Sequence, residues 1–169
     1  MSAVTEDLKV TEEEVTKHDA VDTNRGSVRL VIYDFDQTIT TGHLYRELHG
    51  GRLKSLAKLS DDKLISLFGG KERISYLDDH FKSLCAAQIE IGILSFGWSD
   101  VIERALERME LGRYFEGKLI IGRDSDELVR FNKDKGRTIA HLMKRRKLEH
   151  RQVSVLCFSV YIVGGVQIS

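Results

Sequence analysis

The stretch that most constrains this chain runs from Arg29 to Thr40, RLVIYDFDQTIT. Four apolar residues, Leu30 to Tyr33, lead directly into Asp34-Phe35-Asp36-Gln37-Thr38. An unbroken apolar run suits a strand covered on both faces, as in the middle of a parallel sheet. In open sheets of that kind ligands bind beyond the carboxyl ends of the strands, where Asp34 and Asp36 fall. Two residues apart, their side chains share a side if the chain stays extended. Like charges that close repel unless protons or a cation neutralise them. The pair therefore either faces water or shares a metal. A strand ending in a polar Asx-type turn is the plainer reading of the same letters.

Bulk properties narrow the class. At 169 residues the chain suits one domain, or one domain with a small insert. Apolar content of 41% and charged content of 31% fit a soluble globular protein. The formal net charge is zero, so no overall field draws the chain to nucleic acid or a membrane surface. Two cysteines, Cys85 and Cys157, are too few for a disulfide framework, which makes a reducing compartment the default. The beginning, MSAVTEDLKV, lacks a basic end followed by an apolar core. No apolar run approaches the ~20 residues of a membrane span. Cytoplasmic localisation is the resulting expectation. Proline is absent altogether, for which we have no physical account.

Residues 1–27 are polar, with acids at Glu12-Glu13-Glu14 and no aromatic residue, and read as a disordered or loosely helical arm. Strand one is Arg29 to Tyr33. From His43 to about Ala87 the chain looks helical, punctuated by Gly50-Gly51 and Gly69-Gly70. Ile74, Leu77, Phe81 and Leu84 recur near helical spacing and read as packing residues. Strand two is Ile89 to Leu94, closed by Ser95. Gly97 frees the backbone, and Trp98 to Leu111 reads as a helix, with Asp100 and Glu103 as a capping pair. A strand, a serine and a helix start together make a phosphate cradle, because a hydroxyl and free N–H groups converge there. Strand three is Lys118 to Ile121. The charged loop Arg123-Asp124-Ser125-Asp126-Glu127 reads as a solvated turn. Asn132-Lys133-Asp134-Lys135-Gly136-Arg137 then opens a helix that runs to about Lys147. Its basic end, Lys144-Arg145-Arg146-Lys147, with Arg151 beyond, is explained by the helix dipole. RNA or lipid headgroups are the weaker explanation of that run. Strand four is Val153 to Phe158.

In this order the motifs resemble those of the haloacid dehalogenase-like (HAD) hydrolases, of phosphatase type. Motif I is the apolar strand with Asp34, Asp36, Thr38 and Thr40, and Ser95 stands at motif II. Lys135 fits motif III best, with Lys133 the second choice. The resemblance covers about Val28 to Gln152. It implies an α/β fold, a three-layer Rossmann-like parallel sheet over 28–169, interrupted by a small helical cap insert at 43–87. It implies hydrolysis of a phosphate monoester, carried by a small molecule or a protein, through an aspartyl-phosphate. Asp34 would be the nucleophile and Asp36 the acid–base. Lys135 would neutralise charge between phosphate and carboxylate. Ser95, Thr38 and Gly97 would bind the phosphoryl group. His43, Arg46 and Arg52, in the insert, could meet a substrate's charge but read first as surface residues.

The resemblance also implies Mg²⁺, held by Asp34, by Asp36 through its main-chain carbonyl, and by an acid after strand four. That acid is missing. Ser159-Val160-Tyr161 occupies its place, and no Asp or Glu follows Glu149. The ending YIVGGVQIS has no helical pattern, and a fifth strand with its helix is not expected from it. The core is therefore expected to be incomplete and open-edged after strand four, and the final segment to be other than the native continuation. Loss of the acid predicts weaker metal binding. A catalytically impaired or truncated relative of these phosphatases is the alternative function.

Overall fold

A computed structural model describes residues 27–115, 117, 119–157, 160–163 and 166–168. Apart from Ser27, the polar arm and its acidic cluster lie outside them.

Strand β1 (Leu30–Tyr33) sits inside a sheet with β2 (Glu90–Leu94), β3 (Leu119–Ile121) and β4 (Val153–Cys157). These four strands are parallel, in the order β3-β2-β1-β4. The apolar run of β1 is used on both faces. Leu30 and Ile32 join one buried cluster, and Val31 and Tyr33 join the other. The alternation is that of any extended strand; burial on both sides is why no polar residue interrupts it.

Helices cover both faces. The segment 43–87 contains α1 (Leu44–Glu47), α2 (Leu53–Leu56), α3 (Asp61–Leu67) and α4 (Lys71–Ala86). Helix α4 packs on the Val31/Tyr33 face through Phe81, which is fully buried. The Phe81 ring meets Tyr33 edge-on at 5.4 Å and Phe115 at 5.1 Å. Leu44, Leu56, Leu64 and Phe68 carry α1–α3 into the same cluster. So does α5 (Ser99–Arg108) through Val101, Ile102, Ala105 and Leu106. The opposite face is covered by α6 (Asp126–Arg130) and α7 (Lys135–Arg146), through Leu128, Leu142 and Met143. The α/β class and layered parallel sheet expected from the sequence are thus present. No helix among the described residues is long and apolar enough to cross a membrane.

Two expectations need correction. The sheet does not end at β4. β5 (Val160–Val163) pairs antiparallel with β4, and β6 (Val166–Ile168) pairs antiparallel with β5. The open edge expected after β4 is therefore covered. Val-Tyr-Ile-Val and Val-Gln-Ile flank Gly164-Gly165, a hairpin signature that outweighs the lack of helical pattern. Nor does Asp100 cap α5. Asp124, in the loop after β3, accepts from the Ser99 N–H at 3.0 Å and the Ser99 hydroxyl at 2.6 Å. Asp100 instead bonds Arg52 at 2.9 Å. The cap comes from a distant loop because Gly122 lets that loop approach; a Cβ there would lie 2.4 Å from the Ser99 nitrogen.

Candidate active site

Strand order changes direction around β1. The chain crosses from β1 to β2 on one side, and β4 returns on the other. A crevice outside the strand ends belongs at such a switch point, and the chain places a cleft of about 540 Å³ there. Small-molecule sites typically span about 300–1,000 Å³. Asp34, Asp36, Ser95, Lys133 and Lys135 line it, with His43, Tyr45, Arg46, Phe96, Arg123 and Cys157.

Asp34 follows β1 directly, and its N–H extends the ladder to the Leu156 carbonyl at 2.8 Å. The turn Phe35–Ile39 follows at once, with Gln37 in the left-handed region at φ 62°. Its form is held from two sides. The Thr40 N–H and hydroxyl both donate to the Phe35 carbonyl, at 3.0 and 3.1 Å. Arg73, reaching over from α4, donates to the Thr38 and Ile39 carbonyls, each at 2.8 Å. Loop and carboxylates are thus fixed before any ligand arrives.

Asp34 Oδ1 accepts its neighbour's Phe35 N–H at 2.7 Å. Asp34 Oδ2 lies 2.8 Å from Lys135 Nζ. Lys135 is the first residue of α7, capped by Asp134, whose carboxylate accepts from the Arg137 N–H at 3.0 Å. The same ammonium sits 4.6 Å above the Phe96 ring, itself 51% exposed at the cleft. Asp36 Oδ1 accepts from the Leu44 N–H at 2.8 Å. Burial pushes the Asp36 carboxyl above the ordinary carboxylate range, against the opposing pull of the Leu44 N–H and His43. Ser95 is buried at the end of β2, and its hydroxyl accepts from the Gly97 N–H at 3.1 Å.

Of the residues selected from sequence, Asp34, Asp36, Ser95, Lys135 and the second-choice Lys133 meet in this cleft. Thr38 does not line it: its carbonyl is occupied by Arg73, and its hydroxyl is buried without a partner among the described residues. Gly97 stands behind Ser95, lining a smaller void beside Asp36. Arg123, read as part of a solvated turn, faces the cleft with its guanidinium 4.7 Å over the Trp98 ring. Tyr45 and Phe96 carried no signal in the sequence beyond their proximity to motif residues. A larger groove, about 710 Å³, lies along α5 and is lined by Glu103, Glu107 and Glu110. Its acids disfavour an anionic ligand, and it holds none of the motif residues.

No family model matches the sequence, and no curated protein matches it. Among solved structures, the chain is similar to one from Vibrio cholerae assigned as a 3-deoxy-D-manno-octulosonate 8-phosphate phosphatase. Identity is 16% and the TM-score 0.40, over 78% of this chain and 56% of that one. It is similar to a phosphoserine phosphatase captured as a phospho-aspartyl intermediate analogue, at 12% identity and a TM-score of 0.42, over 76% of this chain and 77% of that one. A hypothetical protein from Xanthomonas campestris gives 17% and 0.39, over 82% and 60%. The chain spans little more than half the length of the first of these.

Asp34 and Asp36 are the acids at the strand end that could hold the Mg²⁺ the resemblance implies. Mg²⁺ asks for near-octahedral oxygen ligands, usually with one or two carboxylates free to bind it. Each Asp34 oxygen and one Asp36 oxygen accept a single contact, which leaves lone pairs for a cation. No third acidic, histidine or cysteine side chain completes a metal-binding group among the described residues. The positive charge beside Asp34 is that of Lys135.

Proposed function

We propose that this protein hydrolyses a phosphate monoester, with Asp34 as the nucleophile. The observation that carries the reading is the Lys135–Asp34 contact of 2.8 Å at the carboxyl end of the central strand. The order of motifs, in which a lysine ahead of the last crossover helix is expected beside the first aspartate, supports it.

In this reading a phosphoryl group sits between Asp34, Lys135 and Ser95. A dianion and a carboxylate repel, and the Lys135 ammonium lowers that barrier. Asp34 attacks phosphorus, the bond to the leaving oxygen breaks, and an aspartyl-phosphate forms. Asp36, protonated more readily than an ordinary carboxyl, gives its proton to the leaving oxygen. It then takes one from the water that attacks the aspartyl-phosphate, releasing inorganic phosphate and restoring Asp34. The Ser95 hydroxyl and nearby N–H groups hold the phosphoryl oxygens. No step is assigned to Mg²⁺.

The incomplete metal donor set favours a second reading, a protein that binds a phosphate ester and turns it over poorly or not at all. Release of 4-nitrophenol from 4-nitrophenyl phosphate separates the two, assayed with wild type and Asp34→Asn. Turnover by wild type that vanishes in the variant supports the enzyme. Equal turnover by both removes Asp34 from this role.

A further inference from the structure

We propose that the ester carries a second anionic group, a carboxylate or another phosphate, and that Arg123 and Arg46 read it. This rests on the reading above, which places the first phosphate at Asp34, Ser95 and Lys135.

Charge inside the cleft is the first observation. Arg46, Arg123, Lys133 and Lys135 face only two carboxylates there, Asp34 and Asp36, although the whole chain is neutral. Lys135 is engaged with Asp34. Among the described residues, no ion pair holds Arg46, Arg123 or Lys133. Other arginines sit on acids: Arg52 on Asp100 and Asp124, Arg108 on Asp61, Arg146 on Glu90. Arg29, Arg73, Arg130 and Arg145 also lack one among the described residues, but none lines the cleft, and Arg73 is spent on the Thr38 and Ile39 carbonyls. Unpaired cations crowded into a concave site raise the local concentration of anions.

The second observation is how Arg123 is held. Its guanidinium lies 4.7 Å over the Trp98 ring and 5.1 Å from the Tyr45 ring, and it donates to the Tyr45 hydroxyl. Trp98 carries Arg52 4.5 Å from its ring as well. Aromatic stacking orients a guanidinium without neutralising it. Of its five N–H donors, one goes to Tyr45. Among the described residues the others have no acceptor and remain for a ligand, and the fork suits a carboxylate or a phosphate. Arg46 follows Tyr45 on α1 and lines the same cleft. The volume, about 540 Å³, holds a compact ester with both anions a few bonds apart. Were Arg123 only a rivet between Tyr45 and Trp98, its removal would lower stability and leave ligand preference untouched.

The test compares two ligands that differ in the second anion alone. Titration calorimetry on the full-length Asp34→Asn protein measures Kd for 3-phosphoglycerate and for glycerol 3-phosphate, in which a hydroxymethyl replaces the carboxylate. Glycerol 1,3-bisphosphate, with a second phosphate and no carboxylate, supplies the phosphate version. The doubly anionic ligands are expected to bind roughly tenfold tighter or more. The stronger gain of the two identifies the preferred group. Adding Arg123→Gln or Arg46→Gln is expected to bring the ratio towards one. Arg46 is exposed, so its variant serves if Arg123→Gln fails to fold. Equal affinity for all three ligands overturns the proposal, as does a preference that survives both substitutions. These outcomes are independent of turnover. A protein that cleaves 4-nitrophenyl phosphate yet shows no preference loses this inference alone. One that prefers 3-phosphoglycerate without any turnover loses only the hydrolase reading.

Discussion

Lys135 Nζ and Asp34 Oδ2 are 2.8 Å apart, joining the first residue of α7 to the end of β1 across the mouth of the sheet. Both side chains are about one-quarter exposed. That leaves Asp34 reachable by a ligand and Lys135 partly screened from water. Removing the ammonium should therefore act on catalysis more than on folding. Lys135→Met is expected to lower kcat/KM for 4-nitrophenyl phosphate by about 10²-fold or more, the scale of a lost charge-stabilising group. Steady-state kinetics checks this, and activity within twofold of wild type would deny Lys135 its part.

Asp36 gives a prediction about pH. Burial raises its pKa on folding, so the folded state prefers the protonated form. Its contribution to stability is full below its ordinary value of 3.8 and is lost as pH rises through the folded value. Asn keeps the shape and the oxygen that accepts from Leu44 N–H but never ionises. Asp36→Asn should melt above wild type at pH 7, with the gap closing towards pH 4, while hydrolysis falls sharply. Thermal melts across that range measure it; a variant less stable than wild type at neutral pH would show that the carboxylate is favourably held.

The aromatic contact beneath the site is structural. Phe81 is fully buried against Tyr33, Tyr114 and Phe115. Phe81→Ala should cost about 3–5 kcal/mol, read as a lower urea midpoint. A loss under about 1 kcal/mol would mean that α4 is not packed on β1 as described.

Arg73 holds the Phe35–Ile39 turn by its carbonyls rather than touching the cleft. Arg73→Met should lower kcat by roughly tenfold or more, since small displacements of a reacting group are costly, and should do so with little change in the pH profile. Unchanged kcat would show that the Phe35–Ile39 turn keeps its form without the clamp.

Much of this arrangement was legible before the fold was known, for identifiable reasons. The β1 run announces burial on both faces because no polar residue interrupts Leu30 to Tyr33. Asp34, Ser95 and Lys135 each stand at a strand end or helix start, so local pattern places them at one edge of the sheet. What stayed hidden depends on distant partners. Arg123 looks like a turn residue until Trp98 and Tyr45, 25 and 78 residues away in sequence, are seen stacked on it. Asp100 carries a better local capping signal than Asp124, yet the loop after β3 delivers Asp124 to Ser99. The pairing of β5 with β6 is carried by the β-branched residues of Val160 to Ile168 on either side of Gly164-Gly165, a pattern independent of the missing acid after β4.

The central claim is that phosphate passes through Asp34. During turnover of 4-nitrophenyl phosphate, quenching with borohydride reduces an aspartyl-phosphate to homoserine, and peptide mass spectrometry locates it. Conversion at residue 34, dependent on substrate and absent from Asp36, is the predicted result. Steady hydrolysis with residue 34 still aspartate in every peptide, or with the modification on another side chain, would contradict it.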